Sequence, residues 1–299
     1  MVQSIFSSDP NLGRRTLLSG VAGALALATS GCSTLSLFNQ FTPKDSGVRL
    51  AQRALSFGPH PRQSLDLYLP DTRASYPIPL IVFYYGGGWD SGRKEDYAWA
   101  AHALASLGYA VAVPDYRLVP EVHFPAFIED SAAAIAALQN KAEQWGLDPR
   151  RVALIGHSAG GYNAMMTGLN TRYLEQAGGD PTGIRAVIGL AGAYSFLPLV
   201  HPGAIAAMGK WPAPEETQPA TFARADAPEV MVIWSEADTV IEPRNVHELK
   251  AALSAKGRTL TEIHYPGLSH QDLVAALSVP FRKKAPMRAD IQTFLTRHL

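Results

Sequence analysis

The residues best suited to chemistry are Gly156-His157-Ser158-Ala159-Gly160. They follow the apolar run Val152–Ile155 and precede a helical stretch, which places Ser158 on a strand-to-helix turn. A turn of this kind lifts a serine above the edge of a sheet, and the flanking glycines remove Cβ clashes from tight backbone. The start of the next helix adds unpaired N–H groups that favour negative charge. The chemistry this spacing suits is nucleophilic attack by a hydroxyl; the alternative is a glycine-rich helix start with no reaction. A serine near neutral pH needs a base, and the base needs a third group to orient it.

Both partners have candidates further along the chain, in the order serine, acid, histidine. Beyond the strand Val230–Trp234 come Glu236 and Asp238. Asp238 lies far enough past the strand end to reach across the sheet top; Glu236 is its rival and Glu242 a weaker one. His270 follows the last strand in a glycine-containing loop before a helix starting near Asp272, the place where a catalytic base belongs. His264 falls inside that strand, His247 on a helix and His298 at the terminus. Backbone donors for an oxyanion come from Ala159, next to the nucleophile, and from Gly87 and Gly88 in the Gly86-Gly87-Gly88-Trp89 loop. Trp89, Tyr162 and Tyr194 are candidate substrate contacts.

The elements that must position these groups alternate in type. Strands are expected at Leu65–Leu69 (an edge or half-buried strand), Leu80–Tyr85, Ala110–Val113, Val152–Ile155, Ala186–Leu190, Val230–Trp234 and Ile263–Tyr265. Helices fall at Ala98–Leu107, Ala126–Trp145 and Val246–Ala255. Such alternation implies α/β architecture, with a mostly parallel central sheet, helices on both faces and ligands beyond the carboxyl ends of the strands. Residues 33–61 read as an irregular N-terminal arm, and 195–225 as a small cap on a catalytic domain spanning 62–299.

Tyr85-Gly86-Gly87-Gly88-Trp89, Pro114-Asp115-Tyr116-Arg117-Leu118, Gly156-His157-Ser158-Ala159-Gly160-Gly161, Asp238 and His270 occur in one order. Together they resemble the HGGG-type esterase branch of the α/β-hydrolase fold, over about residues 62 to 299. That branch holds hormone-sensitive-lipase-like carboxylesterases, feruloyl and acetyl esterases, and kynurenine formamidases. The resemblance implies ester cleavage through an acyl-enzyme intermediate, with no metal or organic cofactor. It also implies that Asp115, Tyr116 and Arg117 brace the active-site loops. Tyr85 departs from the pattern, standing where the branch usually has a histidine that braces the oxyanion loop. Two alternatives remain at this point: an arylformamidase-type amide hydrolase, and a non-catalytic binding or scaffold lipoprotein.

Composition narrows the rest. Of 299 residues, 47% are hydrophobic and 17% charged, which suits one well-packed domain. Lys+Arg and Asp+Glu both number 26, so charge offers no reason to expect a nucleic-acid partner. The single cysteine excludes an intramolecular disulfide. Residues 1–32 read as an export signal. Arg14-Arg15 resembles a twin-arginine signal, the apolar run Leu17–Ala28 is too short to span a bilayer comfortably, and Thr29-Ser30-Gly31-Cys32 resembles a lipobox. The expectation is export, to a bacterial periplasm or to a membrane through lipidated Cys32. Oligomeric state is not encoded in any motif.

Overall fold

A computed structural model describes residues 34–72 and 77–299; the stretch 1–32, expected to be an export signal, and Cys32 within it lie outside the described residues. Eight strands form one sheet among them: β1 Val48–Ser56, β2 Ser64–Pro70, β3 Ile78–Tyr84, β4 Ala110–Pro114, β5 Leu147–His157, β6 Ile184–Leu190, β7 Glu229–Trp234 and β8 Leu260–His264. Their spatial order is β1-β2-β4-β3-β5-β6-β7-β8. The six from β4 to β8 run parallel, and β1 and β2 pair antiparallel at one edge. This is the mostly parallel α/β architecture expected from the alternation of elements, and it fits the α/β-hydrolase fold that the resemblance implies.

Leu80–Phe83 of β3 and Val152–Ile155 of β5 are fully buried, as continuous β-branched and aromatic runs must be when helices cover both faces. Among the described residues ten helices connect or flank the strands: α1 Thr34–Phe41, α2 Ala98–Ala105, α3 Ala126–Asn140, α4 Ala142–Trp145, α5 Ala159–Leu169, α6 Arg172–Gln176, α7 Pro202–Met208, α8 Arg244–Ser254, α9 Asp272–Ala275 and α10 Met287–His298. Every residue of α5 is buried, in keeping with its mostly small and apolar sequence. The chain runs from β3 to β4 on one side, then crosses back to β5 and continues outward. Strand order therefore reverses around β3, where open α/β sheets bind ligands beyond their carboxyl ends.

Three readings of the sequence need correction. The segment 33–61 is not an irregular arm, because it carries α1 and β1. Register shifts between Leu50 and Gln52 and between Gln52 and Leu55 break the alternation that would reveal β1. β2 is not an edge or half-buried strand; β1 covers its outer side, and all seven of its residues are buried. The long helix expected over 126–145 is two helices, α3 and α4, separated at Lys141. The 195–225 segment holds α7 and two short 3-10 turns, Pro214–Thr217 and Pro219–Phe222, and it contributes to one wall of the cleft above Ser158.

Candidate active site

Ser158 joins β5 to α5 with φ 56° and ψ −122°. A non-glycine residue held there stores about 1–3 kcal/mol of strain, which only the surrounding packing can enforce. The packing does so through the two glycines. A Cβ on Gly156 would lie 2.1 Å from the Gly160 carbonyl oxygen, and one on Gly160 would lie 2.1 Å from that of Tyr84. Both are far inside the optimal separation of roughly 3.5–4.0 Å, so the turn closes only with glycine at both places. Ala159 is the first residue of α5, where N–H groups have no intrahelical acceptor.

His270 and Asp238 meet as chain order required. His270 Nδ1 donates to Asp238 Oδ2 at 2.8 Å, and both side chains are buried. The second oxygen, Oδ1, accepts from the Val240 and Ile241 amides at 2.8 and 3.0 Å. Burial alone would raise the Asp238 pKa, but the hydrogen bonds from His270, Ile241 and Val240 outweigh it and hold the carboxyl below its usual value. The rival acids point elsewhere. Glu236 pairs with the exposed His264, and Glu242 with Arg244 at 2.8 Å. His270 is also tied to the nucleophile's strand, because its carbonyl accepts from His157 Nε2 at 2.9 Å.

The loop expected to supply oxyanion donors follows β3. Gly88 and Ala159 line the cleft together with Ser158 and Trp89. Gly87 is not among the lining residues; its carbonyl accepts from the Asp90 and Ser91 amides at 3.1 Å, which turns the loop. Behind the loop, Tyr85 stacks between Tyr97 and Tyr116 at 5.3 and 4.9 Å. Its hydroxyl donates to Asp115 Oδ1 at 2.7 Å and accepts from Arg62 Nη2 at 2.8 Å. Tyr116 in turn donates to the Tyr85 carbonyl at 2.9 Å. A tyrosine therefore occupies a braced, buried position at the root of the loop. Arg117, in contrast, forms a bidentate pair with Asp130 of α3 and does not reach the loop.

The cleft over Ser158 has a volume of about 180 Å³. Of the three aromatic candidates only Trp89 lines it, with Nε1 donating to Asn163 Oδ1 at 3.1 Å. Tyr162 and Tyr194 are corrected to packing residues, each 0% exposed. Tyr162 stands edge-on behind Trp89 at 5.2 Å, and the Tyr194 ring fills the space left by Gly189 and Gly192. The apolar part of the wall comes instead from Phe196, Val200 and Ala204 of the cap region and Val240 and Ile241 of the loop after Asp238, and His201, Glu242, Arg244 and Asn245 add polar groups. Sequence reasoning missed Val240 and Ile241, although their position just past the acid was the available signal. No group of three or more His, Cys, Asp or Glu residues able to hold a metal occurs among the described residues.

A strained serine beyond β5, beside the reversal in strand order, defines the class as an α/β-hydrolase. The chain belongs to the BD-FAE family, whose model matches residues 65–253. Probable isoprenylcysteine alpha-carbonyl methylesterase of Oryza sativa subsp. japonica is 35% identical over 153 residues, covering 50% of this chain and 36% of that protein. Esterase LipC of Mycobacterium tuberculosis is 30% identical over 150 residues, covering 48% and 37%. The chain thus spans little more than a third of the length of these curated relatives. Among solved structures, esterase B of Lactobacillus rhamnosis shares the fold at a TM-score of 0.75 and 21% identity, covering 88% of this chain and 90% of that one. A bacterial heroin esterase matches at 0.67 and 27%, covering 84% and 85%.

Proposed function

We propose that this α/β-hydrolase cleaves carboxylic esters of small to medium size through an acyl-enzyme intermediate. The observation that carries the reading is the strained Ser158 turn with the buried His270–Asp238 pair held against the adjacent His157. His270, oriented through Nδ1 by Asp238, takes the Ser158 proton as the hydroxyl attacks the ester carbonyl. The N–H groups of Gly88 and Ala159, with Gly87 as the third candidate, stabilise the oxyanion. The alcohol leaves with the proton from His270, and water activated by the same histidine then releases the acid. No step calls on a cofactor. The esterase names of the relatives support ester over amide or scaffold roles.

Size and lining support the substrate class. The cleft of about 180 Å³ falls below the ~300–1,000 Å³ of pockets that enclose drug-sized ligands. Its mouth carries exposed apolar side chains, Val200 and Val240 in the lining with Ile205 nearby on α7. An acyl or alcohol group of a few carbons fits inside, and a longer apolar chain would emerge over the valines. Ser158→Ala should reduce hydrolysis of p-nitrophenyl esters of graded chain length by at least about 10⁴-fold. Fluorophosphonate labelling should be lost in parallel. Turnover retained by that variant would refute the mechanism.

Export and lipidation at Cys32 belong to the same proposal and rest on the leader sequence alone. No described helix is long and apolar enough to cross a membrane. Intact mass of protein from its native host tests both, since an unmodified Cys32 in the mature chain would remove the lipid anchor.

A further inference from the structure

The reaction proposed above leaves His157 without a task, although it is 6% exposed and adjoins the nucleophile. Its Nε2 lies 2.9 Å from the backbone oxygen of His270, and a carbonyl can only accept, so Nε2 carries the hydrogen. Nδ1 then presents a bare lone pair, and no described group donates to it. The two imidazoles face one another at 4.7 Å and 43°. The end of β3 closes on the same place: a Cβ on Gly86 would lie 3.0 Å both from His157 Nδ1 and from Ser158 Cβ.

This contact answers a problem set by the topology. Ser158 follows β5, whereas His270 follows β8, three positions away in the sheet. At about 4.8 Å per strand the base loop must reach back on the order of 14 Å to the nucleophile. Asp238 orients the imidazole but is itself on the loop after β7, so it does not relate the base to β5. We propose that His157 is a positioning residue for His270, its Nε2–H fixing the base's backbone to the residue that precedes the nucleophile. One hydrogen bond then sets the separation of two groups carried by distant strands. Misplacement by ~1 Å costs about 100-fold in rate, which is the scale of effect such a tie can control.

The ring does this work only while neutral, since a second ring proton would be buried with nothing to accept it. Burial, followed by the repulsion of a charged His270, pushes the His157 pKa down to about 3, against an opposing pull from the His270 carbonyl and Asp238. His157 thus stays neutral across the range in which a catalytic histidine titrates.

The inference rests on the Ser158 reading, and the two can fail separately. His157→Gln places an amide donor at similar reach, whereas His157→Leu fills the space without one. On a p-nitrophenyl ester, His157→Gln should keep kcat within about threefold, and His157→Leu should lower it about 10–100-fold with KM changed less than about threefold. The rate of fluorophosphonate labelling should fall by the same factor as kcat. Full kcat in His157→Leu, or an equal loss in both variants, would overturn the positioning role. If His157→Leu does not fold, ¹⁵N-histidine NMR of the unmutated protein decides. His157 should appear as the neutral Nε2–H tautomer and not titrate between about pH 5 and 8. An Nδ1–H tautomer, or titration in that window, would overturn the proposal. Activity surviving in Ser158→Ala would instead defeat the underlying mechanism.

Discussion

Asp115, behind the Gly86–Gly88 loop, and Asp238, behind His270, are both buried carboxylates with well-made hydrogen bonds, and they keep different company. Asp115 accepts from the Tyr85 hydroxyl, the Lys94 amide and Lys94 Nζ, with Arg62 at 3.7 Å. Two fixed cations therefore neutralise it. Among the described residues Asp238 has one ion-pair partner, His270, and takes its remaining bonds from neutral amides. A carboxylate already neutralised by lysine and arginine serves as scaffold. One whose only ion-pair partner is a histidine keeps its field for the moment when that histidine gains a proton. In the proposed reaction the oxyanion side stays still and the base side changes charge.

Exchanging each carboxylate for its amide should separate the two roles. Asp238→Asn should lower kcat by roughly 10³–10⁴-fold, with KM within a fewfold, because the amide misassigns the His270 tautomer. Its stability effect carries a definite sign. The folded pKa of Asp238 lies below the usual 3.8, so its contribution is present above that pH and lost as pH falls through the folded value. The stability gap between the unmutated protein and Asp238→Asn, measured by urea unfolding, should be open near pH 5 and close in stronger acid. Asp115→Asn should do the reverse. We expect a loss of about 2–3 kcal/mol of stability, moderated because Lys94 keeps Glu95 at 2.7 Å, and less than about a tenfold fall in kcat. A larger catalytic loss in Asp115→Asn than in Asp238→Asn would break the distinction. Smallest of all, Glu236→Gln should leave kcat within about twofold and the urea midpoint unmoved, since its partner His264 is exposed.

The sheet and the order of its reactive groups were legible because their signals are local. β3 and β5 are unbroken apolar runs, and the nucleophile's turn needs glycine at two fixed positions. Which acid serves the base was only half legible. Glu236 and Asp238 are two residues apart, and nothing local shows that one meets the exposed edge at His264 while the other meets the buried His270. The aromatic contacts misled for a similar reason. Tyr194 sits beside the cap in sequence, but two glycines leave a slot that draws its ring inward. β1 stayed hidden because its bulges shift the side-chain period that betrays a strand. The pairing of His157 with the His270 carbonyl joins residues 113 apart in the chain, and no spacing rule reaches that far.

Val240 and Ile241 line the cleft, and their backbone amides hold Asp238. The bonds to Asp238 use only backbone atoms, which every residue but proline supplies. The wall can therefore be re-cut, exchanging valine or isoleucine for smaller, larger or polar residues, while Asp238 keeps its bonds. Proline is the one residue barred from both positions, because it alone has no amide hydrogen to give.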